Sequence, residues 1–302
     1  MSYFSNLISF CKSEYEKLPF CKQCKMQSGC QKGDGNDCYN CLNYIHKKTT
    51  TTDHYSCKKI IFNYILKHGN QFASEVAKAL LIIKPRLEHD NPISILSIGC
   101  GPSTELYGAI DVFKDHKIVY CGFDRTDIWK PIQQFNQEQL HLEGYNIQYL
   151  STDFFDFVEN SEAKWDVLIL NYFFSDFIKY SPQETDDFIN KLANLINNGV
   201  FRFVIINDVP LFYLEGTGYC CIEKLSRKIN TNEKFTIKYL RCHFRLPNEF
   251  QPTYGMKIDD SLYFPIDDDN IGTFNPFSSC RSILFISSIT PNNNDSLSIK
   301  TH

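Results

Sequence analysis

The run Ile93-Ser94-Ile95-Leu96-Ser97-Ile98-Gly99-Cys100-Gly101-Pro102-Ser103-Thr104-Glu105 limits the possible folds of this chain more than any other segment. A stretch rich in isoleucine and leucine ends at two glycines and is followed at once by helix-opening residues. It reads as a buried strand, a tight turn and the start of a helix. Gly99 and Gly101 let the backbone turn without a Cβ in the way and let a ligand come close to the main chain, while Ser103 or Thr104 can cap the helix.

The pattern repeats after that turn. Strand signals at Ile93–Ile98, Ile118–Phe123, Ile147–Leu150, Trp165–Leu170 and Phe201–Ile206 alternate with helical stretches after Ser103, over Pro131–Leu142 and within Gln183–Asn197. Alternation of this kind predicts a parallel sheet covered by helices on both faces. After a further helix around Cys221–Lys228, Phe235–Arg245 and Ser282–Ile289 read as two late strands paired with each other, separated by a polar insertion. The expected fold class is α/β: a seven-stranded, doubly wound, mostly parallel sheet with an antiparallel C-terminal strand, preceded by a small helix-containing module.

The expected organisation is a Cys-rich module over 1–57, bridging helices over 58–91, the α/β domain over 92–290 and a flexible tail over 291–302. In the bridge, Ile60, Ile61, Tyr64, Ile65, Phe72, Val76, Leu80 and Ile83 recur at helical spacing, which suggests one or two helices joined near Gly69-Asn70. A net charge of −4 gives no global pull toward nucleic acid or an anionic membrane. No stretch approaches the roughly 20 apolar residues that a membrane span needs, and the first residues do not read as a secretory signal, so a cytoplasmic protein is expected.

With this order of elements, the chain from about 92 to 290 resembles the class I S-adenosylmethionine-dependent methyltransferases. In that family the glycine turn holds the methionine part of the cofactor, an acidic residue ending the second strand binds the ribose hydroxyls, and a polar residue after the third strand contacts adenine. The resemblance implies these roles for Gly99-Cys100-Gly101 with Pro102 and Ser103, for Asp124, and for Asp153 with Phe154 packing on the ring. Asp153 reads equally as a helix N-cap. One departure is Ser97, where the family often carries an acid. A nicotinamide-binding Rossmann domain is the competing reading, but its third glycine position is Thr104 here.

The fourth strand ends Asn171-Tyr172-Phe173-Phe174. The family keeps acceptor-contacting residues there, and amino-group methyltransferases often carry Asn-Pro-Pro-Tyr. Asn171, Tyr172 and Phe173 are therefore candidates for binding the methyl acceptor, Asn171 also for contacting the cofactor, with core packing as the alternative for the aromatics. A general base is needed only for a protonated acceptor; Asp176, His141, Asp208 and His243 qualify by type, and Asp208 is favoured because it follows the fifth strand. No catalytic residue is assigned.

Cysteines cluster before residue 60. Cys21-Lys22-Gln23-Cys24 and Cys38-Tyr39-Asn40-Cys41 are two Cys-x-x-Cys pairs separated by thirteen residues, a spacing that suits a four-cysteine zinc site. Cys30, His46, His54 and Cys57 lie near enough to replace one ligand or complete a second site, and spacing does not choose among them. An iron–sulfur cluster and free thiols are the rival readings. Zinc can serve to staple a segment too small for its own core, or the module, with its many lysines, can recognise a nucleic-acid or protein partner. Two functions follow: a methyltransferase of unassigned acceptor, or a non-catalytic methyltransferase-like adaptor.

Overall fold

The computed structural model describes residues 2–18, 58–161, 163–208, 218–229, 235–244, 256–257, 262–265 and 279–288. The expected zinc ligands Cys21, Cys24, Cys30, Cys38, Cys41 and Cys57, and the expected tail, lie outside the described residues.

Five strands carry the architecture: β1 (Ile93–Ile98), β2 (Ile118–Phe123), β3 (Asn146–Leu150), β4 (Trp165–Asn171) and β5 (Phe201–Asp208). All four contacts among them are parallel, in the spatial order β3-β2-β1-β4-β5. Beyond β5 lie β6 (Phe235–Phe244), β7 (Met256–Lys257) and β8 (Ser279–Ser288), giving the order β5-β8-β6-β7. Strand β8 runs antiparallel to both β5 and β6. Among the described residues the sheet thus has eight strands rather than the expected seven. The additional one is the two-residue β7, whose length is too short to leave a period-2 pattern in the sequence.

Because successive strand residues face opposite sides, each central strand feeds two cores. Ile93, Ile95, Val167, Ile169, Phe203 and Ile205 pack on one side. Leu96, Ile98, Leu168, Leu170, Val204 and Ile206 pack on the other. The first face is covered by α1 (Tyr3–Lys17), α2 (Lys58–Ile83), α3 (Thr104–Val112) and α4 (Lys130–His141), which contribute Leu7, Ile65, Val76, Leu106 and Ile132. The second is covered by α5 (Phe154–Ser161), α6 (Phe173–Tyr180), α7 (Thr185–Asn197) and α8 (Gly218–Lys228), through Phe155, Phe174, Leu192 and Leu225.

Helix α2 is one continuous 26-residue helix through Gly69 and Asn70, with no joint there. It belongs to the helical layer of the sheet itself, and α1 packs in the same core through Phe4, Leu7 and Cys11. The crossing of α2 and α3 is close because both helices are small at the contact. A Cβ on Gly108 would lie 2.9 Å from the Ala73 carbonyl oxygen and 3.1 Å from the Ala77 nitrogen, both main-chain atoms that cannot swing away.

Among the described residues no helix is long and apolar enough to cross a membrane. The edge opposite the strand C-termini is tied by Arg202, which donates to Asp90 Oδ2 at 2.7 Å and Asp166 Oδ1 at 3.0 Å, while Asp166 Oδ2 accepts from the main chain and hydroxyl of Ser94.

In an exposed helix Gly→Ala gains about 1 kcal/mol of helix propensity. Here Gly108→Ala is expected to lower stability instead, by about 1–3 kcal/mol, because the methyl meets main chain. The urea unfolding midpoint measures this; a raised midpoint would contradict the packing.

Candidate functional site

In the order β3-β2-β1-β4-β5 the sheet is wound outward one way from β1 through β2 and β3 and the other way through β4 and β5, and the crevice beyond the C-terminal ends of β1 and β4 is where open α/β sheets take up ligands. Ile98 pairs with Leu170, so Gly99 and Asn171 leave the sheet side by side. Of the residues singled out in the sequence, Gly99 to Ser103, Asp124, Asp153 and Asn171 to Phe173 all come to this edge.

The turn after β1 is built from left-handed backbone: φ is +63° at Gly99, +49° at Gly101 and +59° at Ser103. The first two positions suit glycine, and Ser103 bears the strain of a non-glycine residue there. Ser103 does not cap α3 with its side chain. The turn is instead held from the neighbouring elements. Gln133 Nε2 donates to the Gly101 carbonyl at 2.8 Å and Asn136 Nδ2 to that of Pro102 at 3.0 Å, both from α4. The Gly101 amide donates to Asp124 Oδ2 at 2.9 Å.

Asp124 ends β2. Its other oxygen accepts from the Thr126 amide and hydroxyl, each at 2.8 Å. Among the described residues no cation pairs with it. Burial pushes the Asp124 carboxyl above its ordinary range, against the opposing hydrogen bonds from Thr126 and Gly101. Asp153 is exposed, and its Oδ1 accepts from the amides of Phe155 at 2.8 Å and Asp156 at 3.2 Å, so it caps α5. Phe154 is turned into the core against Phe123 and Phe155 and is 5% exposed, which removes its ring from the surface where a base could stack.

Two glycine positions are filled by aromatics. A Cβ on Gly99 would lie 2.5 Å from Phe173 Cδ2, and one on Gly101 would touch the Trp129 indole at 3.5 Å. Cys100 points inward, into the space that Gly122 leaves open: a Cβ on Gly122 would lie 2.8 Å from Cys100 Sγ. Burial, followed by the carboxylates of Asp124 and Glu105, pushes the Cys100 thiol well above its usual range.

The missing acid at position 97 is supplied from elsewhere. Ser97 Oγ donates to Glu105 Oε1 at 2.6 Å, and the Tyr120 hydroxyl donates to the same oxygen at 2.8 Å. Glu105, in the first turn of α3, thus brings a buried carboxylate beneath the glycine turn. Its place in Ser103-Thr104-Glu105 was the available sequence signal.

At the end of β4, Tyr172 holds φ +56°, a costly value for a large side chain. Several contacts fix it. Its amide donates to the Asn207 carbonyl at 2.7 Å, its ring lies 4.0 Å from that of Phe72, and its hydroxyl donates to Glu75 Oε2 at 2.7 Å. Glu75, on α2, is fully buried and also accepts from Asn207 Nδ2 at 2.6 Å and Gln71 Nε2 at 2.7 Å. Asn207 Nδ2 reaches Asn171 Oδ1 at 2.8 Å as well. Sequence reasoning missed Glu75, Gln71 and Asn207, which no local pattern connects.

The candidate bases separate. Asp208 Oδ2 accepts from the Ser175 amide at 2.9 Å in the first turn of α6 and is fully buried. Asp176 lies in that first turn, and His243 near the end of β6. His141 ends α4, which runs back along the sheet, so it lies at the opposite edge and is exposed.

The sequence matches no family model and no curated protein. Among solved structures, it is similar in fold to the plantazolicin methyltransferase BpumL in complex with SAH. That match has 13% identity and a TM-score of 0.47, covering 83% of this chain and 99% of that one. The delta-N METTL16 MTase domain matches at 13% identity and a TM-score of 0.42, covering 70% and 81% respectively. Precorrin-6y C5,15-methyltransferase from Geobacter metallireducens GS-15 matches at 10% identity and a TM-score of 0.38, covering 70% and 87%. Values this low say nothing of what this chain binds or acts on.

Burial raises the Glu105 carboxyl above its unfolded value of 4.5, so the folded state holds that proton more tightly. The associated stability is complete below the unfolded value and is lost as pH rises through the folded one. Glu105→Gln keeps an oxygen for Ser97 and Tyr120, and its unfolding free energy is expected to fall less steeply than that of wild type above about pH 4.5. Urea titrations across pH measure it; identical slopes would refute the assignment.

Proposed function

We propose that this chain is an S-adenosylmethionine-dependent methyltransferase whose cofactor is held at the crevice between β1 and β4. The observation that carries this is Asp124. It is a carboxylate at the C-terminal end of β2, clasped to the amide of Gly101 and paired with no cation among the described residues. Its oxygens can take further hydrogen bonds, and a sugar diol offers two O–H donors to such an acceptor.

The charge of the edge supports the same choice. Asp124 stands beside the turn and Glu105 lies beneath it, so a pyrophosphate would meet like charge there, while at the rim Arg125 reaches Asp153 Oδ2 at 3.9 Å. A sulfonium cation would meet opposite charge. Gly99 to Ser103 would hold the amino-acid part, Asp124 the ribose and Asp153 the base. The sulfonium supplies an already activated methyl group. What remains for the chain is to orient the acceptor and exclude water, which Phe72, Trp129, Tyr172 and Phe173 suit by their apolar rings.

One observation favours a non-catalytic scaffold: the Phe173 ring seated on Gly99, where an approaching ligand would need the ring to turn aside. Calorimetry with S-adenosylhomocysteine separates the two readings. Binding is expected, with an increase in unfolding free energy of about 2.7 kcal/mol at a hundredfold excess over Kd. Asp124→Ala is expected to weaken it about tenfold or more, the loss of a charge-assisted hydrogen-bond acceptor. Absence of heat and of thermal shift would leave the scaffold reading.

We also propose that Cys21, Cys24, Cys38 and Cys41 bind one zinc ion, with Cys30 and Cys57 as alternative or additional ligands. The spacing of the two Cys-x-x-Cys pairs supports this. Metal analysis of freshly purified protein is expected to find at least one equivalent of zinc; less than one would refute it.

A further inference from the structure

Both glycines that would open the turn to a ligand are covered by rings, and the rings belong to opposite faces of the sheet. Phe173, the first residue of α6, lies after β4, yet its ring rests on Gly99, which follows β1. The contact therefore spans the gap between the ends of those two strands. Ring atoms Cδ2, Cε2 and Cγ crowd the position that a Cβ on Gly99 would take, at 2.5, 3.3 and 3.5 Å. On the other face, Trp129 touches Gly101 and is backed by Tyr64 of α2 at a ring distance of 5.5 Å.

The main chain that carries Phe173 is pinned on both sides. Before it, the Tyr172 amide donates to the Asn207 carbonyl at 2.7 Å; after it, the Ser175 amide donates to Asp208 Oδ2 at 2.9 Å. The ring therefore leaves Gly99 by side-chain rotation, without a movement of the helix. It is half-buried, stacked on Phe177 at 5.0 Å and tilted against Phe188 at 5.0 Å, ring pairs that favour the seated position without sealing it in.

We propose that Phe173 is an autoinhibitory gate: seated on Gly99 it occupies the place of the cofactor's amino-acid part, and its rotation away admits the ligand. The inference rests on the S-adenosylmethionine reading above, and it accounts for the one contact that favours a non-catalytic scaffold. When only the open fraction of molecules is competent, the apparent dissociation constant is the intrinsic one divided by that fraction. A ring seated in about nine molecules of ten weakens binding about tenfold.

The gate acts on one part of the ligand only, and the test uses that. Calorimetry on the full-length protein compares S-adenosylhomocysteine with methylthioadenosine, which keeps the nucleoside and the sulfur but has a methyl group in place of the amino-acid chain. Phe173→Ala is expected to raise the affinity for S-adenosylhomocysteine about tenfold and to leave that for methylthioadenosine within about twofold of wild type. Phe173→Leu keeps apolar contact with Phe177 and Phe188 but loses the flat ring. It is expected to move the first value in the same direction by a smaller factor, and it decides the matter should the alanine variant fail to fold.

An unchanged or weakened affinity for S-adenosylhomocysteine in a folded variant would overturn the gate while leaving the cofactor site standing. An equal gain for both ligands would overturn the placement of the ring over the amino-acid part. Binding of neither ligand, by wild type or variant, would overturn this inference together with the cofactor reading.

Discussion

A parallel sheet flanked by helices must bury both of its faces, and in this chain that requirement decides almost everything else. The alternation along β1, β4 and β5 sends Ile95, Val167 and Ile205 into one core and Leu96, Leu168 and Ile206 into the other. Each strand is thereby locked in register, since a one-residue slip would exchange the two sets. The same alternation sends Ser97, Asn171 and Asn207, which share parity with the first set, toward the layer that contains α2. The polar end of each strand and the apolar body below it obey one rule.

Helix α2 then acts on the site from a distance in sequence. Glu75 accepts from Tyr172 and Asn207, 97 and 132 residues away. A fully buried carboxylate is tolerated only where donors surround it, and here the donors are the side chains that the sheet delivers to its C-terminal edge. The strained backbone of Tyr172 belongs to the same arrangement: its amide, ring and hydroxyl are each held by a different element, so the left-handed conformation has nowhere to relax.

The succession of strands and helices and the glycine turn were legible because they rest on local signals. Periodicity separates strand from helix, and a glycine turn after an apolar run marks where the main chain opens. Asp124 was visible because a strand end is a local feature. Glu75, Gln71 and Asn207 were not, because a buried carboxylate has the same spelling as a solvated one, and only tertiary contacts tell them apart. Glu105 shows the intermediate case: the acid expected at position 97 is present in space but borrowed from the next helix. Phe154 shows the reverse, a residue at the right place in sequence whose ring packs against Phe123 and Phe155 in the interior at the start of α5.

The middle residue of the glycine turn is a cysteine, and its surroundings keep it chemically quiet. A thiolate at that spot would be the strongest nucleophile near the crevice, and a sulfonium donor is an alkylating agent. Sealed in the notch left by Gly122 and kept protonated by its apolar surroundings and adjacent acids, Cys100 is a poor nucleophile. On the proposed reading, the turn can border a reactive methyl group without consuming it.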